Sequence, residues 1–468
     1  MEALVTDGSF DLLIIGAGMA GCTIGARAVA DGLRVCMIDI GDDVGGSARY
    51  AGYVWTMPDH GVMDEHNPHG DRQLRRHLVD RFAESVEWLR SIGADVGPSQ
   101  PILPYGAGHR LDTNHYLDLC RKMIQDNNGE ILYKSEAIHL LTEDGAVVGA
   151  AVSTAGGAPE DIRAAHTVIA TGGFQADPEL RGRHLHPSAK TVGLRSNPRS
   201  AGGGHRLARA VGAAFGQENA GFYGHLIPSE VTFGEADFVE LALYYSEHAL
   251  MFNLDNRRFV DETLGDHLNA IELLEQREAR ALLIADSRVY RDWMTQPYVK
   301  GAVAPDKFGL TSKRGGRVGM ADSLEELAYL PEEWGYDGAA IATAIGEYNA
   351  AVRAGTASPA HTLDPLPLDE PPYYVIETVP AVTFPFYGIL TDTSARVLDE
   401  TGAPIPGLLA AGSDTGGLWY RAYGGGLSTA LVFGLTAAET AAETATRAVR
   451  VPQGAGLDEG ADGEGHAS

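Results

Sequence analysis

The first clear pattern along the chain is a short apolar run, Leu12-Leu13-Ile14-Ile15, entered from Asp11. A continuous run of this length is what a strand buried on both faces of a parallel sheet shows. Gly16-Ala17-Gly18-Met19-Ala20-Gly21 follows, and small residues then predict a helix to about Ala30, broken by Asp31-Gly32. Arg34-Val35-Cys36-Met37-Ile38 reads as a second strand with Asp39 at its end. Two later stretches repeat the strand-to-glycine pattern. They are Thr167-Val168-Ile169-Ala170-Thr171-Gly172-Gly173 and the run from Gly407 to Gly417. The second leads through Tyr423-Gly424-Gly425-Gly426-Leu427-Ser428 into a long helix, Thr429 to about Arg447.

The segment between these stretches has another character. Leu250-Met251-Phe252-Asn253 and Arg257-Arg258-Phe259-Val260-Asp261-Glu262 predict a salt-bridged hairpin, with helices from Leu268 to Arg280. Arg288 to Asp337 is irregular and polar. The expected fold is α/β: a Rossmann-type dinucleotide-binding domain with an inserted α+β capping domain. Its first part spans 1–219, the cap 220–360 and its second part 361–450. Residues 451–468 are Gly- and acid-rich with almost no apolar residues, which predicts disorder.

Composition narrows the function. With 58 Gly among 468 residues, glycine is well above its usual share, and cofactor loops are one reason for such an excess. The 63 acids against 36 bases give −27, which disfavours nucleic acid and anionic lipid as partners. Cys22, Cys36 and Cys120 form no C-x-x-C pair and no zinc spacing. Phe10 to Ala30 ends like a signal peptide, but no basic residue precedes it, and no apolar run reaches membrane-spanning length. A cytoplasmic protein without a membrane segment is expected.

The opening unit carries the first chemistry. Gly16 permits a tight turn, Gly18 lets backbone approach a pyrophosphate, and Gly21 allows close helix–strand packing, while the helix N-terminus favours anions. Asp39, 18 residues past Gly21, can accept from ribose hydroxyls. A second glycine loop, Val44-Gly45-Gly46-Ser47-Ala48-Arg49-Tyr50-Ala51-Gly52, is superfluous for NAD but suits the longer FAD.

The run Tyr387-Gly388-Ile389-Leu390-Thr391-Asp392, Ala395-Arg396-Val397-Leu398-Asp399, Gly402, Pro404-Ile405-Pro406-Gly407-Leu408, Ala410-Ala411-Gly412 resembles the flavoprotein superfamily of fumarate reductase, succinate dehydrogenase and 3-ketosteroid dehydrogenases. The resemblance covers 8–447. Val382 to Gly388 and Gly417 to Gly425 look most like its tricarballylate dehydrogenase-like branch. It implies FAD contacts at Gly16, Ala17, Gly18, Ala20 and Gly21, then at Asp39 and Ile40. Gly45, Gly46, Ser47, Ala51 and Gly52 follow, with Ala137. The last are Ala170, Thr171 and Gly172, then Gly412, Ser413 and Asp414, then Leu427 and Ser428. Asp414 stands beside the place of a family Glu that holds the ribityl chain. No His stands in 45–52, where covalent attachment occurs in succinate dehydrogenases, so FAD is expected to be noncovalent.

The resemblance also marks departures. Cationic positions with which fumarate reductases grip a dicarboxylate and deliver a proton fall on Tyr423, near Asp266 and on Thr383-Phe384. Tyr423 with the N–H groups of Gly425 and Gly426 looks instead like the ketone-holding arrangement of ketosteroid dehydrogenases. His225 and Tyr245 are the candidate proton-moving groups, and Phe384 and Tyr420 the candidate pocket wall. Arg195 and Arg421 are the cations able to hold a carboxylate. The expected activity interconverts a saturated and an α,β-unsaturated carbonyl compound, a ketone on a cyclic or bulky molecule, with a separate electron donor or acceptor. The alternatives are a carboxylate dehydrogenase resembling tricarballylate dehydrogenase, and a flavin-binding protein without turnover. The oligomeric state stays open.

Overall fold

The structure, a computed structural model, describes residues 10–234, 237–297 and 304–450, with side chains to 444. The expected disordered tail, 451–468, lies outside the described residues.

The fold is mixed α/β, built among the described residues on three sheets. In the largest, β1 (Phe10–Ile15) lies parallel between β2 (Val35–Ile38) and β9 (Glu160–Ile169). The parallel part continues through β6 (Glu130–Leu132) beyond β2 and β17 (Pro404–Ala410) beyond β9. β7 (Ser135–Glu143) and β8 (Ala146–Thr154) extend it antiparallel, and β16 (Arg396–Leu398) closes the other edge. Both faces of β1 are covered, which is why its sequence is continuously apolar. Leu12 and Ile14 enter one hydrophobic core, Leu13 and Ile15 a second. The helix Met19–Ala30 packs against the helix Gly426–Arg450, where Gly434 admits Thr23 and the Ala20 carbonyl.

The second sheet is organised around β15 (Tyr373–Pro385), a 13-residue strand. It pairs parallel with β10 (Gly193–Leu194) and antiparallel with β11 (Phe222–Pro228), β13 (Ala281–Ala285) and β14 (Val318–Ala321). β12 (Leu250–Asn253) joins β13. The expected hairpin at 250–262 is therefore not formed: β12 pairs with β13, and a single bridge joins Phe252 to Arg258. The Arg258–Glu262 ion pair expected there is present and buried. Segment 220–360 supplies β11 to β14, while β10 and β15 come from either side of it. The third sheet, β3 (Tyr53–Thr56), β5 (Gly106–Leu111) and β4 (Val96–Ile102), sits on the dinucleotide side.

Gly21 and Gly18 differ in what they tolerate. A Cβ on Gly21 would stand 1.9 Å from the Gly16 carbonyl oxygen, whereas one on Gly18 would meet nothing within 4 Å. Gly21→Ala should therefore lower unfolding free energy by about 1–3 kcal/mol through backbone overpacking. Gly18→Ala should leave it nearly unchanged, and equilibrium urea unfolding of the two variants checks the contrast.

Candidate functional site

The C-terminal ends of β1, β2, β9 and β17 converge on one cleft of about 950 Å³, counted to its open mouth. Ligands of open parallel sheets bind outside strand carboxyl ends, so the position follows from the topology. The first wall is the turn after β1. Gly16 has φ +109°, and a Cβ there would stand 2.2 Å from the Ala170 carbonyl oxygen, so only glycine brings β1 and β9 together. Gly18 precedes the helix Met19–Ala30, and no side chain caps that helix, so its leading N–H groups are left for a ligand. Asp39 lines the cleft, with Oδ2 accepting Ala17 N–H at 2.7 Å and Oδ1 accepting Gly41 N–H at 2.6 Å.

Ala20, Ile40, Gly45, Gly46, Ser47 and Ala51 continue the wall, as do Ala170, Thr171, Gly172, Gly412, Ser413 and Leu427. Gly16, Ala17 and Gly21 lie behind it and shape the turn. An anion-accepting helix end, a ribose-accepting carboxylate and glycine-lined backbone along one elongated cleft are what FAD needs, so the residues present fit that cofactor.

Several expected residues are elsewhere. Asp414 does not line the cleft. Its carboxylate is 4 % exposed and accepts from Thr171 Oγ1 (2.9 Å), Gly172 N–H (2.8 Å) and Gly173 N–H (3.2 Å). It ties the glycine corner after β9 to β17, and burial raises its carboxyl above the usual range. Ser428 is buried and bonds the Trp55 and Gly425 carbonyls. Gly425 packs on the Trp55 carbonyl, 1.9 Å from where its Cβ would stand. Gly52 accepts from Leu111 N–H, and Ala137 pairs with Val152 in the β7–β8 ladder, both away from the cleft wall. Tyr420 packs edge-on to His69 at 5.6 Å. Arg421 is held by Glu272 and, at 2.9 Å, by Glu275, so it is no free clamp.

The cleft ends at Tyr223, Thr383, Phe384, Tyr423 and Gly426. Tyr423 and Tyr223 stack with ring centroids 3.6 Å apart. Gly426 N–H donates to the Tyr423 hydroxyl at 2.9 Å, and the Tyr423 and Tyr223 hydroxyls share a further hydrogen bond. Burial pushes the Tyr423 phenol up to about 12, keeping it a donor at neutral pH. Thr383 is the extra residue of a β-bulge, since Tyr223 faces Phe384 while Gly224 faces Val382. The bulge re-aims Thr383 into the cleft.

Behind the stacked pair runs a buried polar chain. His225 Nε2 lies 2.8 Å from the Tyr223 hydroxyl, and His225 Nδ1 bonds the Asp266 carboxylate. Asp266 also accepts Leu226 N–H and stands in the first turn of the helix Asp266–Leu274. Burial, then Arg195, lower the His225 imidazole to about 4, so it is neutral at pH 7. With Asp266 accepting from Nδ1–H, Nε2 is an acceptor for the Tyr223 O–H.

Arg195 is 6 % exposed, and its donors are engaged within the protein. Nε and Nη2 reach the Phe238 carbonyl, Nη1 reaches Thr383 Oγ1 at 3.2 Å, and Nη2 lies 3.4 Å from the Tyr244 hydroxyl. Tyr245 does not reach the cleft. It lines a second cavity beside it, and its buried hydroxyl has no hydrogen-bond partner among the described residues. Sequence reasoning passed over Tyr223 and the role of Asp266. The signal for Tyr223 was its i, i+2 spacing to His225, which puts both on one face of a strand. Gln175, Asn197, Arg199 and Ser200 also line the cleft and had no motif to announce them.

The chain matches the FAD binding domain family model over residues 11–429. It is 26% identical over 462 residues to the fumarate reductase (cytochrome) of Shewanella frigidimarina, covering 92% of this chain and 77% of that one. It is 28% identical over 371 residues to a 4-oxocyclohex-2-ene-1-carboxylate 5-dehydrogenase of Sinomonas cyclohexanicum, covering 72% and 61%. In fold it is similar to a 3-ketosteroid Δ1-dehydrogenase of Sterolibacterium denitrificans, with a TM-score of 0.75 at 18% identity over 93% of this chain and 100% of that one. Among the described residues no helix is long and apolar enough to cross a membrane. With the dinucleotide cleft, the cofactor fit and the family match in agreement, the chain belongs to the FAD binding domain family and is an FAD-dependent oxidoreductase.

Proposed function

We propose that the protein interconverts a saturated and an α,β-unsaturated carbonyl compound, the reacting group being a ketone on a cyclic molecule. The observation that carries this reading is the buried chain Asp266–His225–Tyr223, ending on the ring stacked against Tyr423. Desaturation beside a carbonyl needs a base for the α proton and a donor for the oxygen that gains charge. FAD supplies the hydride exchange at the β carbon, and noncovalent binding accords with the absence of His from 45–52.

Tyr423 is the donor to the carbonyl oxygen, a phenol that burial keeps protonated and that stands at the end of the cleft. Tyr223 is the acid/base. It passes its proton to His225 Nε2 and takes the α proton in return, while the Asp266 carboxylate stabilises the imidazolium that forms. In the reductive direction the same groups run backwards. The roles expected from sequence shift accordingly: His225 acts through Tyr223, and Tyr245 leaves the acid/base role.

The carboxylate-clamp alternative loses support, because Arg421 is spent on two glutamates and Arg195 on the Phe238 carbonyl and Thr383. The Sinomonas relative, named for a ring bearing both a ketone and a carboxylate, supports a cyclic ketone.

An anaerobic visible spectrum followed during ketone addition tests the reading. Bleaching of oxidised flavin by a saturated cyclic ketone, or reoxidation of dithionite-reduced flavin by a cyclic enone, is expected. A flavin that responds to neither would leave the protein a non-catalytic flavin binder. Tyr423→Phe should lower kcat about 10²–10³-fold, the cost of one such donor. Tyr223→Phe should lower it about 10²–10⁴-fold. Adding Asp266→Asn to Tyr223→Phe should cost little more, because the two act as a unit; fully additive losses in steady-state kcat would contradict the chain.

A further inference from the structure

The flavin cleft has one wall that the glycine turns do not account for, the loop 196–200 that follows β10. Asn197, Arg199 and Ser200 face the cleft from it. Ser196 Oγ lies 2.8 Å from Ser47 Oγ, and Asn197 N–H donates to Ser47 Oγ at 3.0 Å, so the loop is fastened to the glycine loop at 45–47. A Cβ on Gly46 would stand 3.6 Å from Asn197 Nδ2 and 3.9 Å from the Gly18 Cα. The Asn197 amide and the start of the helix Met19–Ala30 thus come together at Gly46, where a dinucleotide sets its pyrophosphate.

Two donors on this loop are left over. Asn197 Oδ1 accepts Arg199 N–H at 2.9 Å, which orients the amide and makes its nitrogen the atom beside Gly46. Nδ2 itself has no hydrogen-bond partner among the described residues. The Arg199 guanidinium lies against the backbone beyond Asp39, where a Cβ on Gly41 would stand 3.2 Å from Nη1. Its one ion pair among the described residues is with Asp42, at 3.7 Å, and both side chains are more than half exposed. A long, exposed pair of this kind contributes little and gives way readily to a better anion.

Charge gives the loop its task. The chain carries −27, and that field opposes a ligand whose pyrophosphate is anionic. Among the described residues lining the cleft, Arg199 is the one cation and Asp39 the one carboxylate. The uncapped helix end supplies only a partial positive charge. A guanidinium supplies a full one, and its planar fork matches two phosphate oxygens.

We propose that the loop 196–200 is the second half of the dinucleotide site, with Arg199 turning from Asp42 to pair with the FAD pyrophosphate and Asn197 Nδ2 donating to a neighbouring phosphate oxygen. The glycine turn receives the pyrophosphate through backbone N–H groups, and a loop far along the chain closes on it with side chains. Retention of the whole dinucleotide, rather than of the flavin ring alone, is the task of this loop. The contact requires FAD and is independent of the ketone reading above.

The test follows FAD release from the holoenzyme on serial dilution, read as the rise in flavin fluorescence, and involves no turnover. In low salt Arg199→Gln should raise the FAD dissociation constant about tenfold, and Arg199→Lys, which keeps the charge, by no more than about threefold. Asn197→Asp keeps the Oδ1 that accepts Arg199 N–H but sets a negative charge against the phosphates, and should weaken FAD at least as much as Arg199→Gln. The deficit of Arg199→Gln should shrink toward unity at about 1 M salt, where the Debye length falls to about 3 Å. A deficit that salt leaves unchanged would assign Arg199 to stacking on the adenine, and one shared equally by Arg199→Lys would assign it to shape; either overturns the proposal. So does unchanged FAD release in both Arg199→Gln and Asn197→Asp, which would leave the guanidinium as a partner of Asp42 alone.

Discussion

Everything in this molecule depends on backbone approaching backbone more closely than a side chain permits. Four strand ends must share one cleft, and at each meeting point a glycine removes the Cβ that would hold them apart. Gly16 lies against Ala170, Gly21 against Gly16, and Gly388 against the Asp414 carbonyl. Asp414 completes the junction from the side. Its carboxylate collects the hydroxyl and N–H groups of the corner after β9, so the two strands that frame the cleft are fixed by one buried acid. Part of the high glycine content is thus the compositional trace of a steric requirement.

At the far end of the cleft the controlling quantity is desolvation. Tyr423, Tyr223 and His225 are all buried, and burial raises both phenols while it lowers the imidazole. These opposite shifts leave every group neutral at rest. The row ends on the Asp266 carboxylate, which bonds His225 Nδ1. Arg195 sits beside this chain and binds Thr383 and Tyr244, one residue from each space. It sets the potential at the boundary rather than gripping a ligand itself.

Local features of the sequence were readable, and distant ones were not. The β1 turn, Asp39 and the loop at 45–52 lie within about forty residues, where spacing alone carries the geometry. Tyr423 was legible because three glycines follow it. Asp266 is 41 residues from His225 and meets it only because the helix Asp266–Leu274 packs on β11. Arg421 read as a free cation because its partners, Glu272 and Glu275, come from a helix nearly 150 residues earlier. Asp414 illustrates a different limit: the residue type fitted a ribityl contact, but its side chain turns to the backbone beside it. The hairpin expected at 250–262 failed for a similar reason, since Leu250–Asn253 found a better partner in β13.

β15 gives the architecture a mechanical property. Its 13 residues span roughly 40 Å. One end is paired with β13 and β14 in the second sheet, and the other delivers Thr383 and Phe384 to the cleft. A strand hydrogen-bonded along its length behaves as a stiff rod rather than a hinge. Any tilt of the second sheet is therefore passed along that rod to the wall facing Tyr423. The second sheet and the end of the cleft are thus held by one continuous strand.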